Sequence, residues 1–218
     1  MAAAARAGLD VARADVAVID GVPVVIVERF DRVQTEDRWT RVHQEDLLQA
    51  LGLPPELKYQ HQGGPGARTI ATLLRQVTAG EESVCAFVSS LVFHWLTVST
   101  DAHAKNYSLL LGAGAARLAP LYDLNSYLYY GAGVAREMSI RIGAAYRSDQ
   151  VGRSDWTSLA RDCGVGDEIV MDEIRRQARI LPDAFADAAR ELPRSTLASR
   201  LVDDVAAWTT AASAQVGC

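Results

Sequence analysis

Ser99-Thr100-Asp101-Ala102-His103-Ala104-Lys105-Asn106, followed further along by Ala119-Pro120-Leu121-Tyr122-Asp123-Leu124, is the stretch on which the fold turns. Both polar clusters interrupt apolar surroundings. Val84, Val88, Leu91, Val92, Trp95 and Leu96 lead into the first at the spacing of a long buried helix that ends near Thr100. Between the clusters, residues 107–111 and 116–118 flank Gly112-Ala113-Gly114, the pattern of a short hairpin. Such a hairpin brings the second cluster back to the first, so Asp101, Asn106 and Asp123 are expected to share one cleft.

Upstream of that helix the pattern is mixed. Residues 1–8 read as the last turns of a helix with Gly8 just past its end. Two runs rich in β-branched residues, 16–19 and 22–27, meet at Asp20-Gly21, a strong signal for a type I′ hairpin. After Glu28-Arg29-Phe30 the spacing becomes helical, with Leu47, Leu48 and Leu51 on one face before Gly52 and Pro54-Pro55. Gly63-Gly64-Pro65-Gly66 marks a loop feeding a helix through Ile70, Leu73, Leu74 and Val77. Beyond Asp155 helices are expected again: one capped by Ser154 and stopped at Gly164, one broken at Pro182, and one after Pro193. A small hairpin followed by a helical body is a two-lobed α+β layout.

Composition narrows the function classes. A chain of 218 residues, 49 % apolar and 22 % charged, can bury one or two substantial cores. Net charge is −5 and the basic residues are scattered, so direct nucleic-acid binding is not expected. No run of about 18 apolar residues suggests a membrane span, and the Ala-rich start lacks the apolar core of a signal peptide, so a cytoplasmic location is expected. Cys85, Cys163 and Cys218 show neither metal-ligand spacing nor a disulfide framework.

Phosphoryl transfer from a nucleotide needs a carboxylate to orient the acceptor hydroxyl, and an amide oxygen with a second carboxylate to hold divalent metal. Asp101, Asn106 and Asp123 supply that set. The step from Asp101 to Asn106 equals that between the catalytic Asp and the metal-binding Asn of the protein-kinase catalytic loop. Taken singly, each of these residues also suits a turn that makes Asx hydrogen bonds.

Thr-Asp-Ala-His-Ala-Lys-Asn together with Ala-Pro-Leu-Tyr-Asp-Leu resembles the catalytic loop and metal motif of the HipA kinase family. Val-Glu-Arg-Phe-Asp-Arg at 27–32 resembles that family's hinge between lobes, and His-Gln-Glu-Asp at 43–46 its first C-lobe helix. Lys58-Tyr59 with Gly63-Gly64-Pro65-Gly66 resembles the loop beyond, so the likeness runs from about Arg6 to the C-terminus. It implies a protein-kinase-like fold, with residues 1–32 a remnant of the N-lobe and hinge and 33–218 the mainly helical C-lobe.

The resemblance further implies a serine/threonine kinase using ATP and Mg2+, the toxin of a toxin–antitoxin pair. Asp101 would be the proton acceptor, and Asn106 and Asp123 the magnesium ligands. His103, Lys105 and Tyr122 would line the phosphate and nucleotide side, while Glu28 and Phe30 would meet adenine through main-chain groups. The family's Gly-rich loop and N-lobe lysine are expected before residue 1. A separately encoded N-terminal half or a HipB-like antitoxin is therefore an expected partner, beside a protein substrate. Two rival readings are a non-catalytic pseudokinase or assembly module, and a metal-dependent hydrolase built on Asp101, His103 and Asp123.

Overall fold

The computed structural model describes every residue except 79, 113, 115, 132–135 and 193–195, and leaves out the side chains of 196 and 197. Ala113, between the two hairpin glycines, and Pro193, before the last helix, thus lie outside the described residues. The first hairpin follows the β-branched runs: β1 (Ala14–Ile19) pairs antiparallel with β2 (Val22–Val27), Ile19 opposite Val22. Asp20 and Gly21 both take left-handed φ, 51° and 80°, as a type I′ turn requires. Both faces of this ribbon are open to solvent, with Val25 69 % exposed on one and Ile26 51 % on the other.

Its base is anchored. The preceding helix α1 (Ala2–Arg6) buries Ala3 and Ala4. Leu121 N–H then donates to Asp10 O and Ala12 N–H to Leu121 O, both at 2.8 Å. The entry to the hairpin is thereby bonded to the segment that carries Tyr122 and Asp123.

Residues 32–46 depart from the expected helical spacing. They form a second hairpin, β3 (Arg32–Thr35) with β4 (Arg38–Arg41), and then β5 (His43–Asp46). Neither strand of that hairpin has an apolar face to bury, and its Glu36-Asp37 turn lacks Gly or Asn, so the sequence carries no strand signal. His43–Asp46 is likewise a strand rather than a first helix, because β6 (Ser108–Leu111) pairs along it from His43↔Leu111 to Asp46↔Ser108. The helix with Leu47 and Leu48 shrinks to the single turn α2 (Leu47–Ala50), capped by Asp46. A short β7 (Arg117–Leu118) completes this three-stranded sheet, order β5-β6-β7.

The helical body is organised around α4 (Glu82–Thr97), whose Phe87, Leu91, Trp95 and Leu96 are almost wholly buried. Burying each such side chain stabilises the fold by about 1.5–3 kcal/mol. Packed around α4 are α3 (Ala67–Val77), α5 (Arg153–Cys163), α6 (Asp167–Arg190) and α7 (Thr196–Gln215). Trp95 lies edge-on to Trp156 of α5 at 5.4 Å, and its Nε1 donates to Ser148 O at 2.9 Å.

Two helix expectations need correction. The cap of α5 is Gly152, not Ser154; the Asp155 carboxylate accepts from Gly152 N–H at 3.0 Å and takes over the capping work. Pro182 does not break α6, which runs through it, because burial of Leu181 and Ala184 on either side offsets the lost backbone bond. Before α5, β8 (Glu137–Ile142) and β9 (Ala145–Arg147) form another hairpin. No helix among the described residues is long and apolar enough to cross a membrane.

Candidate active site

Position begins with the end of α4. Val98, 1 % exposed, sits in the left-handed region at φ 49°, a costly conformation for a β-branched residue, and turns the chain sharply into the Asp101 loop. Ser99 N–H caps the helix on His94 O at 2.8 Å. The loop then bonds to itself: His103 N–H to Asp101 O at 3.0 Å, Asn106 N–H to His103 O at 2.8 Å, and Asn106 Nδ2 to Asp101 O at 2.8 Å. With its amide nitrogen so used, Asn106 leaves Oδ1 without a partner among the described residues.

The Asp123 side is stitched to the same helix end. Ser99 Oγ donates to Asn125 Oδ1 at 3.0 Å, Ser126 Oγ to Thr97 O at 2.6 Å, and Tyr127 N–H to Val98 O at 3.0 Å. Asp123 is itself left-handed, at φ 55°, and exposed. Its carboxylate makes no hydrogen bond or ion pair among the described residues.

Asp101 Oδ1 accepts from the Tyr59 hydroxyl at 2.7 Å and lies 3.7 Å from His103 Nε2. His103 is 6 % exposed, and its Nδ1 has no partner among the described residues. Burial lowers its pKa, Lys58 adds to that, and the charges of Asp101 and Asp123 oppose it. The imidazole is therefore neutral at pH 7. The Asp101 and Asp123 segments meet at the end of α4, through Ser99 to Asn125 and Tyr127 to Val98.

Tyr122 donates its hydroxyl to Lys105 O at 2.7 Å and shares a 2.7 Å hydrogen bond with Ser108 Oγ. Its ring faces Phe30 at 5.4 Å, so the hinge segment meets the Asp123 segment here. Burial, reinforced by Asp46 and Asp123, pushes this phenol up to about 12. The Lys105 ammonium, expected on the phosphate side, forms an ion pair with Asp46 at 2.9 Å.

Glu28 is exposed, and its N–H is taken by Arg13 O at 2.8 Å. Neither its carbonyl nor the Phe30 N–H has a partner among the described residues. The neighbouring guanidinium groups of Arg29 and Arg32 pair with Asp31. This carboxylate is 2 % exposed, takes two bonds from Arg29 at 2.8 and 2.7 Å and one from Arg32 at 2.6 Å, and has its pKa lowered chiefly by Arg29.

Reading the sequence missed Tyr59 as a partner of Asp101 and Asp46 as a partner of Lys105. They lie 42 and 59 residues from those partners, so no local spacing could reveal either contact. Among the described residues no group of three or more His, Cys, Asp and Glu side chains is placed to hold a metal.

A protein-kinase-like, mainly helical C-lobe is the class that this fold defines. The family model for the HipA-like C-terminal domain matches residues 1–188, and the chain belongs to that family. It is 36 % identical over 198 residues to Y4mE of Sinorhizobium fredii, provisionally named a kinase, covering 90 % of this chain and 46 % of that one. To the serine/threonine-protein kinase toxin HipA of Shewanella oneidensis it is 26 % identical over 202 residues, covering 85 % and 46 %. The chain thus spans about half the length of these relatives.

Among solved structures, the Shewanella oneidensis HipA in complex with HipB and its operator DNA superposes with a TM-score of 0.90 at 22 % identity, over 97 % of this chain and 54 % of that one. The Helicobacter pylori proinflammatory kinase CtkA matches at 0.59 and 12 % identity, over 97 % and 76 %. Both likenesses concern the fold.

Proposed function

We propose that this chain is the catalytic lobe of a HipA-like kinase that transfers the γ-phosphoryl group of ATP to a serine or threonine hydroxyl of a protein. The observation that carries the reading is the joint disposition of Asp101, Asn106 and Asp123. One carboxylate is half-open and hydrogen-bonded, one amide oxygen is unpartnered, and one exposed carboxylate is unpaired on a left-handed residue. Strained left-handed residues such as Asp123 cluster at ligand sites, and the unpartnered oxygens here are open to a ligand.

Asp101 orients the acceptor hydroxyl and takes its proton as the oxygen attacks phosphorus. Asn106 Oδ1 and the Asp123 carboxylate are hard oxygen donors suited to Mg2+, which they would hold together with nucleotide phosphates. Bound there, magnesium neutralises phosphate charge. His103, neutral and 3.7 Å from the Asp101 carboxylate, offers a hydrogen bond on the phosphate side without adding a charge. Glu28 O accepts from the adenine amino group and Phe30 N–H donates to the ring, with Tyr122 packed behind Phe30. Lys105 serves the nucleotide side by fixing the loop through Asp46.

The division at residue 32, between hairpin with hinge and helical lobe, belongs to this reading. Because the chain spans about half of its relatives, activity is proposed for a kinase complete in both lobes. A longer polypeptide or a separately encoded N-terminal half could supply the rest. A HipB-like antitoxin and a cytoplasmic setting follow from the family alone.

Calorimetry tests the binding half. The chain alone should bind Mg–ATP more weakly than micromolar, since the hinge and metal donors are present without a phosphate clamp. Asp123→Asn should weaken that binding further, while Asp101→Asn leaves it nearly unchanged. Loss of binding in neither Asp123→Asn nor Asn106→Ala contradicts the assignment.

A further inference from the structure

The loop from Pro55 to Gly66 is built around one side chain. Tyr59 O accepts from both Gln62 N–H and Gly64 N–H at 3.0 Å. A Cβ on Gly64 would lie 2.2 Å from Leu57 O and 2.8 Å from Tyr59 O, so only glycine lets the return strand approach this closely. Gln60 ties the loop outward, its Oε1 accepting from Arg141 N–H of β8 at 3.0 Å. The Tyr59 ring is held between the His61 ring, stacked at 5.5 Å, and the His103 ring, edge-on at 5.1 Å. From that mount the hydroxyl reaches Asp101 Oδ1 at 2.7 Å.

We propose that Tyr59 is a positioning residue for phosphoryl transfer: its hydroxyl fixes one oxygen of the Asp101 carboxylate so that the other faces the acceptor hydroxyl. The inference rests on the kinase reading above. A carboxylate on a free χ2 presents either oxygen in a broad range of orientations. A donor on Oδ1 removes that freedom, and the Asp101 side chain, 36 % exposed, keeps room for a substrate at Oδ2. Burial and the bond to Asp101 push the Tyr59 phenol up to about 12, so it remains a donor throughout the neutral range. No proton leaves Tyr59; the acceptor's proton goes to Asp101.

Two measurements on Tyr59→Phe test this, one on structure and one on rate. Crystal structures of the chain should show the hydroxyl on Asp101 in the parent, and the carboxylate turned or in two orientations in the variant. A parent crystal structure without that contact overturns the proposal alone and leaves the kinase reading standing. In the chain complemented with the family's nucleotide-clamping lobe, Tyr59→Phe should lower kcat about tenfold, the worth of one hydrogen bond to a charged group, with the KM for ATP unchanged. A purely structural role would instead move KM and thermal stability together, and a blocking role would raise kcat; either result overturns it. If Asp101→Asn leaves phosphotransfer intact, the kinase reading fails first and this proposal falls with it.

Discussion

Asp46 does two jobs with two oxygens, and they can be separated by substitution. Oδ1 caps α2 by accepting from Gln49 N–H at 2.9 Å, with Gln49 Oε1 answering on Asp46 N–H at 2.9 Å. Oδ2 takes the Lys105 ammonium at 2.9 Å and so ties the sheet edge to the Asp101 loop. Loss of an N-cap costs about 1 kcal/mol. The ion pair, with side chains 16 % and 37 % exposed, adds up to about 1 kcal/mol after screening. Asp46→Ala should therefore destabilise by about 2 kcal/mol and lower Tm by roughly 4–8 °C in a chain of this size. Asp46→Asn keeps the cap, since Asn serves as well there, and should lose only the ion-pair share, as should Lys105→Met. Urea unfolding and calorimetry on the three variants and the Asp46→Asn/Lys105→Met double variant measure both shares. Equal losses for Asn and Ala would refute the division of labour, and additive losses in the double variant would refute the pair.

Two further outcomes follow from buried groups. Burial pushes His94 down to about 3 from its usual 6.5, so between those values the unfolded chain takes up a proton that the folded chain refuses. Stability is then full above pH about 6.5 and falls as pH drops, by up to about 1.4 kcal/mol per unit for this group. His94→Leu should flatten the urea midpoint between pH 6.5 and 5.5, and a variant as steep as its parent rules the origin out. Gly64→Ala forces a Cβ onto two backbone carbonyls and should cost about 1–3 kcal/mol, whereas Gly112→Ala, with nothing within 4 Å, should not; matching melting curves for the two contradict the crowded-loop account.

Elements with an apolar stripe at helical spacing or a diagnostic turn were legible, and those with neither were not. α4 announces itself because its apolar residues recur at helical spacing, and β1–β2 because Asp20-Gly21 is a turn that few other sequences can make. The Arg32–Arg41 hairpin is polar on both faces, so nothing in its pattern separates strand from loop. His43–Asp46 reads as a helix start because Asp46 does cap one, yet its pairing with β6 is a non-local fact. At the site, the Asp101–Asn106 step and the return to Asp123 are short-range patterns. The Tyr59 and Asp46 contacts and the strain at Val98 are products of tertiary packing.

Phosphotransfer by the assembled kinase tests the central claim most directly. This chain, complemented with the family's Gly-rich-loop and lysine-bearing lobe, should move radiolabel from the γ-position of ATP to a protein hydroxyl. Asp101→Asn, which keeps size and hydrogen bonding but removes the proton-accepting carboxylate, should abolish that transfer while nucleotide binding persists. A stable two-part complex that binds Mg–ATP yet transfers nothing, or an Asp101→Asn variant as active as its parent, would contradict the assignment and leave a partner-binding pseudokinase in its place.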